Sequence, residues 1–240
     1  MEHLILRLDA PLQSWGTVAM DPRRPTSAFP TLSALSGLIA SALGWRYRDA
    51  ELTNELQEGI RYAVREDVPA VVIRDFQTAD LGRIGSEGWT RWGTEQRGGG
   101  PASKGTQILE KHYLAGGVYT VALSLQPGGP ADLSAVAGAL RHPARPLFFG
   151  RKGCIPASRI LQGMEAGPTA LEVLSDWPVD DRVDPPLRCW YSDGEGPDSG
   201  EPITVSDRRN FVRDRFAGRR TLRVAQVNPP KRSPPPVRTP

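Results

Sequence analysis

Cysteine and histidine are scarce in this 240-residue chain: Cys154 and Cys189, and His3, His112 and His142. With no CxxC pair and so few ligands, neither a disulfide framework nor a tetrahedral zinc site has material to form. No cofactor or metal is expected, and a reduced, cytoplasmic chain fits this usage. Long apolar runs are missing too. Arg7 and Asp9 break any apolar stretch near the start, and the most apolar segment, Leu32 to Trp45, is short and interrupted by Ser and Gly, so no membrane segment is expected. Aromatic residues make up only 7%. Acidic residues are absent from Pro22 to Arg48, a window that holds Arg23, Arg24, Arg46 and Arg48.

What is present is loop chemistry and segregated charge. Gly and Pro together supply 48 of 240 residues, more than average yet below a low-complexity chain, so long loops around a real core are expected. The net charge of +3 hides its distribution: residues 1–162 carry +3, residues 163–206 carry −8 and residues 207–240 carry +8. Such asymmetry points to a polyanion or an acidic partner.

Leu4, Leu6 and Leu8 alternate with Ile5, Arg7 and Asp9 in an opening strand. Leu32, Leu35, Leu38, Ile39, Ala42 and Leu43 then repeat at helical spacing, with Thr31 as N-cap and Gly44 as C-terminal stop. Ile60–Arg65 and Ala70–Arg74 read as strands around a turn at residues 66–69. Residues 76–110 show little pattern, and so long an irregular stretch needs a functional reason. Val118–Leu125 is a strand, Leu133–Leu140 a helix, Pro146–Phe149 a buried strand and Leu222–Val227 a further strand. The order predicts an α+β fold: a ferredoxin-like (RRM-like) domain over residues 1–160 with a long thumb insertion at about 76–112, a small C-terminal β region at 161–228, and a disordered Pro-rich tail at 229–240.

Several places could meet nucleic acid. The helix start at Thr31 to Ser33, with Arg23 and Arg24 close by, would make a phosphate cradle from unpaired backbone N–H groups, unless it is simply a capped helix. Trp89, Arg91 and Trp92, followed by Lys104, pair stacking surfaces with cations; packing of the excursion onto the core is the ordinary alternative. Gly150-Arg151-Lys152-Gly153 lacks the Walker spacing, but its basic turn suits a backbone phosphate. Arg208, Arg209, Arg213, Arg215, Arg219, Arg220 and Arg223 are the densest basic cluster, against a solvated face as the alternative. For catalysis, Ser14, Ser33 and Ser158 lack a nucleophile motif. Only Lys111-His112-Tyr113 could support metal-free RNA cleavage, and a polar strand is the competing reading.

Four blocks together carry a resemblance. They are Leu4 to Gly16 (LILRLDAPLQSWG), Arg24-Pro25-Thr26 with Phe29-Pro30-Thr31 and the helix to Gly44, Arg74-Asp75-Phe76-Gln77-Thr78, and Pro146 to Cys154 (PLFFGRKGC). In order and spacing the chain resembles the CasD family, RAMP-superfamily subunits of type I-E CRISPR Cascade complexes. The resemblance implies a non-catalytic subunit that holds the crRNA 5′ handle, wedges a thumb against the crRNA, adjoins the CasC backbone subunit and the CasA large subunit, and meets target DNA only through the assembled complex. It would place Gln13, Trp15, Arg23, Arg24, Thr31 and Ser33 near the handle, with Arg151 and Lys152, and Trp89, Arg91, Trp92 and Lys104 on the thumb. Arg208, Arg209, Arg213, Lys111 and His112 are further candidates for RNA or partner contact. Type I-C counterparts cut pre-crRNA with a Tyr near the end of the first helix and a Lys-His pair; here Leu43-Gly44-Trp45 stands at the helix end, with Tyr47 nearby. A metal-independent endoribonuclease, or a free-standing nucleic-acid-binding adaptor, is the alternative. Past residue 160 the likeness is confined to Arg209-Asn210-Phe211.

Overall fold

The computed structural model describes residues 1–18, 23–80, 87–90, 93–96 and 106–232. Its first strand, β1 (Glu2–Asp9), turns Leu4, Leu6 and Leu8 to one face and Ile5 to the other, and none of the four touches solvent. Two-residue strands at Leu12–Gln13 (β2) and Arg23–Arg24 (β3) follow. The remaining strands are β4 (Ile60–Val68), β5 (Val71–Asp80), β6 (Glu87–Thr90), β7 (Gly93–Gln96), β8 (Thr106–Ala115), β9 (Val118–Leu125), β10 (Leu161–Ala166), β11 (Leu187–Ser192), β12 (Glu201–Val205), β13 (Arg209–Asn210), β14 (Arg215–Phe216) and β15 (Arg220–Val227).

Seven of these form one sheet in the order β10-β1-β9-β4-β11-β15-β12, every neighbouring pair antiparallel. Apolar residues on both sides of its central strands require cover on both faces. Helices α1 (Leu32–Ala42) and α3 (Leu133–Arg141) supply it on the Leu4, Leu6, Leu8 face, through Leu35, Ile39, Val136 and Leu140. Helix α4 (Ala170–Asp176) covers Ile5, Ala63 and Ala122 with Leu171 and Leu174. A fourth helix, α2 (Ala50–Gly59), leans on α1 after a 3-10 turn at Tyr47–Asp49. Gly44 ends α1 at φ +83, a left-handed conformation that favours glycine, and Asp132 caps α3 by accepting from the Ala135 N–H at 2.7 Å.

A buried charge ties α4 to the sheet. Arg65 on β4 is fully enclosed; its Nε donates to Asp67 at 2.6 Å, its Nη1 donates to the carbonyls of Leu174 and Trp177 at the end of α4, and Thr120 donates to the other Asp67 oxygen at 2.5 Å. Enclosing one charge without the other would cost several kcal/mol, roughly 3–5, which explains why both are there. Both cysteines are buried and unpaired, and burial pushes the Cys189 thiol up to about 12.

The second sheet is a projecting ribbon. β5 and β8 pair without a break from Val71 opposite Ala115 to Asp80 opposite Thr106, and β2 and β3 attach to the other edge of β8. The backbones of β6 and β7 pair antiparallel in a separate two-stranded sheet.

The structure departs from the expected elements in several places. The two strands around residues 66–69 are no hairpin: β4 joins β9 and β11 while β5 leaves for β8. The expected strand at Ala70–Arg74 is present but runs on to Asp80, and residues 106–110 are strand too, where little pattern was expected. Pro146–Phe149 is not a strand; it leads into a turn with Phe149 buried. Helices α2 and α4 were not expected. The region 161–228 contributes β10, β11, β12 and β15 to the sheet that contains β1, so its strands share the first half's core. Residues 229–232 are held beside Val179, which donates to Pro230 O at 2.9 Å and accepts from Arg232 N at 2.7 Å. Among the described residues no helix is long and apolar enough to cross a membrane.

Candidate nucleic-acid interface

Where the ribbon leaves the body, β3 runs parallel to β8 with Arg23 opposite Glu110 and Arg24 opposite Lys111, while β5 on the other edge places Arg74 opposite His112. The glycine turn at 150–153 packs against the same place. Its course is dictated by hydrogen bonds: Ser14 N donates to Phe149 O at 3.0 Å, Phe149 N to Cys154 O at 2.8 Å and Cys154 N to Arg151 O at 2.8 Å. Gly150 has φ +88, and a Cβ there would collide with the Ser14 carbonyl oxygen, so this close approach of backbones admits only glycine.

This gathers six cations: Arg23, Arg24, Arg74, Lys111, Arg151 and Lys152. Arg23, Arg24, Arg74 and Lys152 are exposed. Glu110 lies 3.5 Å from Arg23 and 4.0 Å from Arg74, and holds both side chains over the ribbon. With Glu110 and Asp75 as the carboxylates among them, the patch keeps a surplus of exposed positive charge, the arrangement suited to a polyanion backbone. Arg151 plays a different part from the one expected of it. Its guanidinium donates to His112 O at 2.8 Å and Arg24 O at 3.0 Å and lies over the Tyr113 ring at 4.5 Å, so it fastens β3 to β8 and adds its charge from within.

The structure withdraws other expected contacts from the surface. Gln13 is fully buried, with Nε2 donating to Leu8 O at 3.2 Å and Gly117 O at 2.8 Å. Trp15 packs between Tyr119 and Phe149, with ring centroids at 6.4 and 5.5 Å. Thr31 and Ser33 are buried, their hydroxyls 3.4 Å apart. These side chains build the wall behind the patch. The phosphate cradle at the start of α1 is already filled: the Asp207 carboxylate accepts from Leu32 N at 2.9 Å and the Asp207 carbonyl from Ser33 N at 3.1 Å. Arg220 locks that carboxylate with bonds of 2.7 and 2.8 Å and also donates to Tyr62 Oη at 2.5 Å. A carboxylate so held repels a phosphate from the same N–H groups.

The C-terminal arginine cluster is largely spent on ion pairs. Arg208 pairs with Glu58 at 2.9 Å, Arg209 with Asp214, Arg220 with Asp207, and Arg223 with Asp193 and Asp198 at 3.4 and 3.6 Å. Arg213, Arg215 and Arg219 remain exposed. Lys111 donates to Gln77 Oε1 at 2.6 Å, and His112 has a buried Nδ1 with no hydrogen-bond partner. Tyr47 lines a different groove, with Arg209 and Phe211, and no described contact joins it to Lys111 or His112. Trp89 falls on β6, while Arg91, Trp92 and Lys104 lie outside the described residues. Among the described residues no group of three or more His, Cys, Asp or Glu could hold a metal ion.

Sequence reasoning passed over Arg74 and Glu110 as site members, and met Tyr113 only within the Lys111-His112-Tyr113 triplet. The signal was weak because β5 and β8 form a ribbon exposed on both sides, which removes the period-2 hydrophobic alternation by which a half-buried strand is recognised.

Comparison with known proteins agrees with this architecture. The chain is 32% identical over 160 residues to the CRISPR system Cascade subunit CasD of Escherichia coli (strain K12), a match covering 63% of this chain and 66% of the relative, just under two thirds of its length. One solved chain, from a CRISPR RNA-guided surveillance complex, superimposes with TM-score 0.69 at 26% identity, over 94% of this chain and 90% of the other. A second, described as the crystal structure of a Cas protein, gives TM-score 0.66 at 25% identity, over 97% and 100%. Residues 3–225 match the CRISPR-associated protein (Cas_Cas5) family, and the chain belongs to that family.

Proposed function

We propose that the protein is a crRNA-binding subunit of a CRISPR Cascade surveillance complex, that it caps the 5′ handle of the crRNA without cutting it, and that it meets target DNA through the assembled complex. The observation that carries this reading is the patch of Arg23, Arg24, Arg74, Lys111 and Lys152, seated on Arg151, in a chain whose family relatives include a Cascade subunit. The order β10-β1-β9-β4, with α1 and α2 between the first and second strands in sequence and α3 between the third and fourth, supports a ferredoxin-like core in which the β5–β8 ribbon is the base of the thumb. Subunits equivalent to CasC and CasA are the proposed neighbours.

The non-catalytic reading is supported by the engagement of Lys111 with Gln77 and by the separate surroundings of Tyr47. The experiment is binding of full-length protein to single-stranded RNA of the host's CRISPR repeat, without metal. Wild type is expected to bind intact RNA, and Arg23→Glu with Lys152→Glu to weaken binding roughly tenfold or more. Equal affinity of wild type and variant overturns the assignment of the patch. Specific cleavage that disappears in Lys111→Ala replaces the reading with the endoribonuclease one.

A further inference from the structure

The β13–β14 hairpin and the 3-10 turn before α2 enclose a groove that the patch does not use. Arg46, Tyr47, Ala50 and Thr53 line one side; Arg209, Phe211 and Asp214 line the other. We propose that this groove holds one unpaired nucleobase of the bound RNA, stacked on Tyr47. The inference rests on the crRNA-binding reading and extends it from backbone contact to base contact.

The groove is preformed. Gln57 on α2 is buried and makes two bonds to the hairpin backbone, donating to Arg209 O at 3.0 Å and accepting from Arg209 N at 3.1 Å. Asn54 accepts from Phe211 N at 2.8 Å, and Glu58 pairs with Arg208. Three side chains from one helix therefore hold the hairpin, and the Arg209 guanidinium is fixed by Asp214 and lies 5.9 Å from each of the Phe211 and Phe216 rings. Tyr47, by contrast, is 72% exposed, a large ring with its surface left open.

The chemistry of the lining selects the ligand. Two aromatic rings with two arginines are what an unpaired base stacks on. The volume, about 190 Å³ and open on one side, suits a single planar ring system and is smaller than the roughly 300–1,000 Å³ of ordinary small-molecule pockets. Asp214 offsets the Arg209 charge at the rim, so the lining carries less surplus positive charge for a phosphate or an acidic side chain than the patch does. The phosphates that accompany the base have exposed Arg48, Arg213 and Arg215 outside. The hairpin also approaches the segment that anchors the glycine turn: a Cβ at Gly16 would lie 3.4 Å from the Phe216 ring, and Ser14, two residues earlier, donates to Phe149 O.

The test is an abasic scan. Full-length wild type, Tyr47→Ala and Tyr47→Trp are titrated with single-stranded repeat RNA in which nucleotides are replaced one at a time by abasic residues. The expected result is one position at which base removal weakens wild-type binding roughly 5- to 100-fold. That penalty should vanish in Tyr47→Ala and return in Tyr47→Trp. Thermal melts confirm folding, which truncation of an exposed side chain should leave intact. An identical abasic profile in wild type and Tyr47→Ala overturns the groove assignment while the patch, tested by Arg23→Glu with Lys152→Glu, still stands. No binding by wild type brings down both. If Tyr47→Ala leaves RNA binding whole and instead releases a protein subunit, the groove is a protein-docking site and the proposal is wrong.

Discussion

His3 stands fully enclosed on β1, its Nε2 3.8 Å from a Glu195 oxygen and neither ring nitrogen hydrogen-bonded. Burial pushes the imidazole below its ordinary value of 6.5, against the pull of Glu195 and with the help of the terminal ammonium of Met1. The sign follows: in the unfolded chain His3 takes up a proton first as pH falls, so the neutral folded form contributes stability above about 6.5 that is lost on acidification. Melting temperature should therefore fall between pH 7.5 and pH 5.5, and His3→Gln should show a shallower fall. Equal slopes would show that the enclosed imidazole carries none of the dependence. At this scale the sequence misleads in a specific way. Gln13 and Trp15 were expected near the RNA because the block that holds them carries the family resemblance, but which strand closes over them is decided by Gly117 and Tyr119, more than 100 positions away.

The elements show where local signals suffice. β1, α1, α3 and β9 were readable from periodicity because each buries one face or both. α2 and the ribbon were not, since a polar helix that holds the β13–β14 hairpin through Asn54, Gln57 and Glu58 and a solvated ribbon leave little hydrophobic pattern. The start of α1 was located correctly and its partner was not. Thr31 has no side-chain capping bond, and Asp207 caps instead. Asp207→Ala should cost about 3–5 kcal/mol, since it removes a cap and leaves the Arg220 guanidinium without its carboxylate. Asp207→Asn keeps an acceptor for Leu32 N and should cost less. Denaturant midpoints of the two variants check the order. A loss below about 1 kcal/mol for Asp207→Ala would show that the network is not structural.

For the whole molecule, the near-neutral total of +3 misrepresents what a ligand meets. Folding pairs many arginines of the basic end with acids: Arg220 and Arg223 with Asp207, Asp193 and Asp198, and Arg208 with Glu58. The modestly charged first part supplies the exposed cations of the patch. RNA affinity should therefore fall linearly on a logarithmic salt axis, and Arg23→Ala should reduce the slope by about 0.7, the contribution of one single-strand phosphate. Arg223→Ala, a paired arginine, should leave the slope unchanged. Measurement at several salt concentrations separates the two, and an equal effect would relocate the contact surface to the C-terminal arginines.

The sheet order has a further consequence, in time. Leu4 has its two sheet partners at Leu123 and Met164, so β1 must wait for both of these much later segments to be synthesised before its edges are closed. Pairings this distant in sequence make folding slow and leave an apolar strand edge unsatisfied meanwhile. A truncated nascent chain that ends before β10 would then carry β1 as an open edge, available to chaperones or to aggregation, and the chain's own later residues are what remove that hazard.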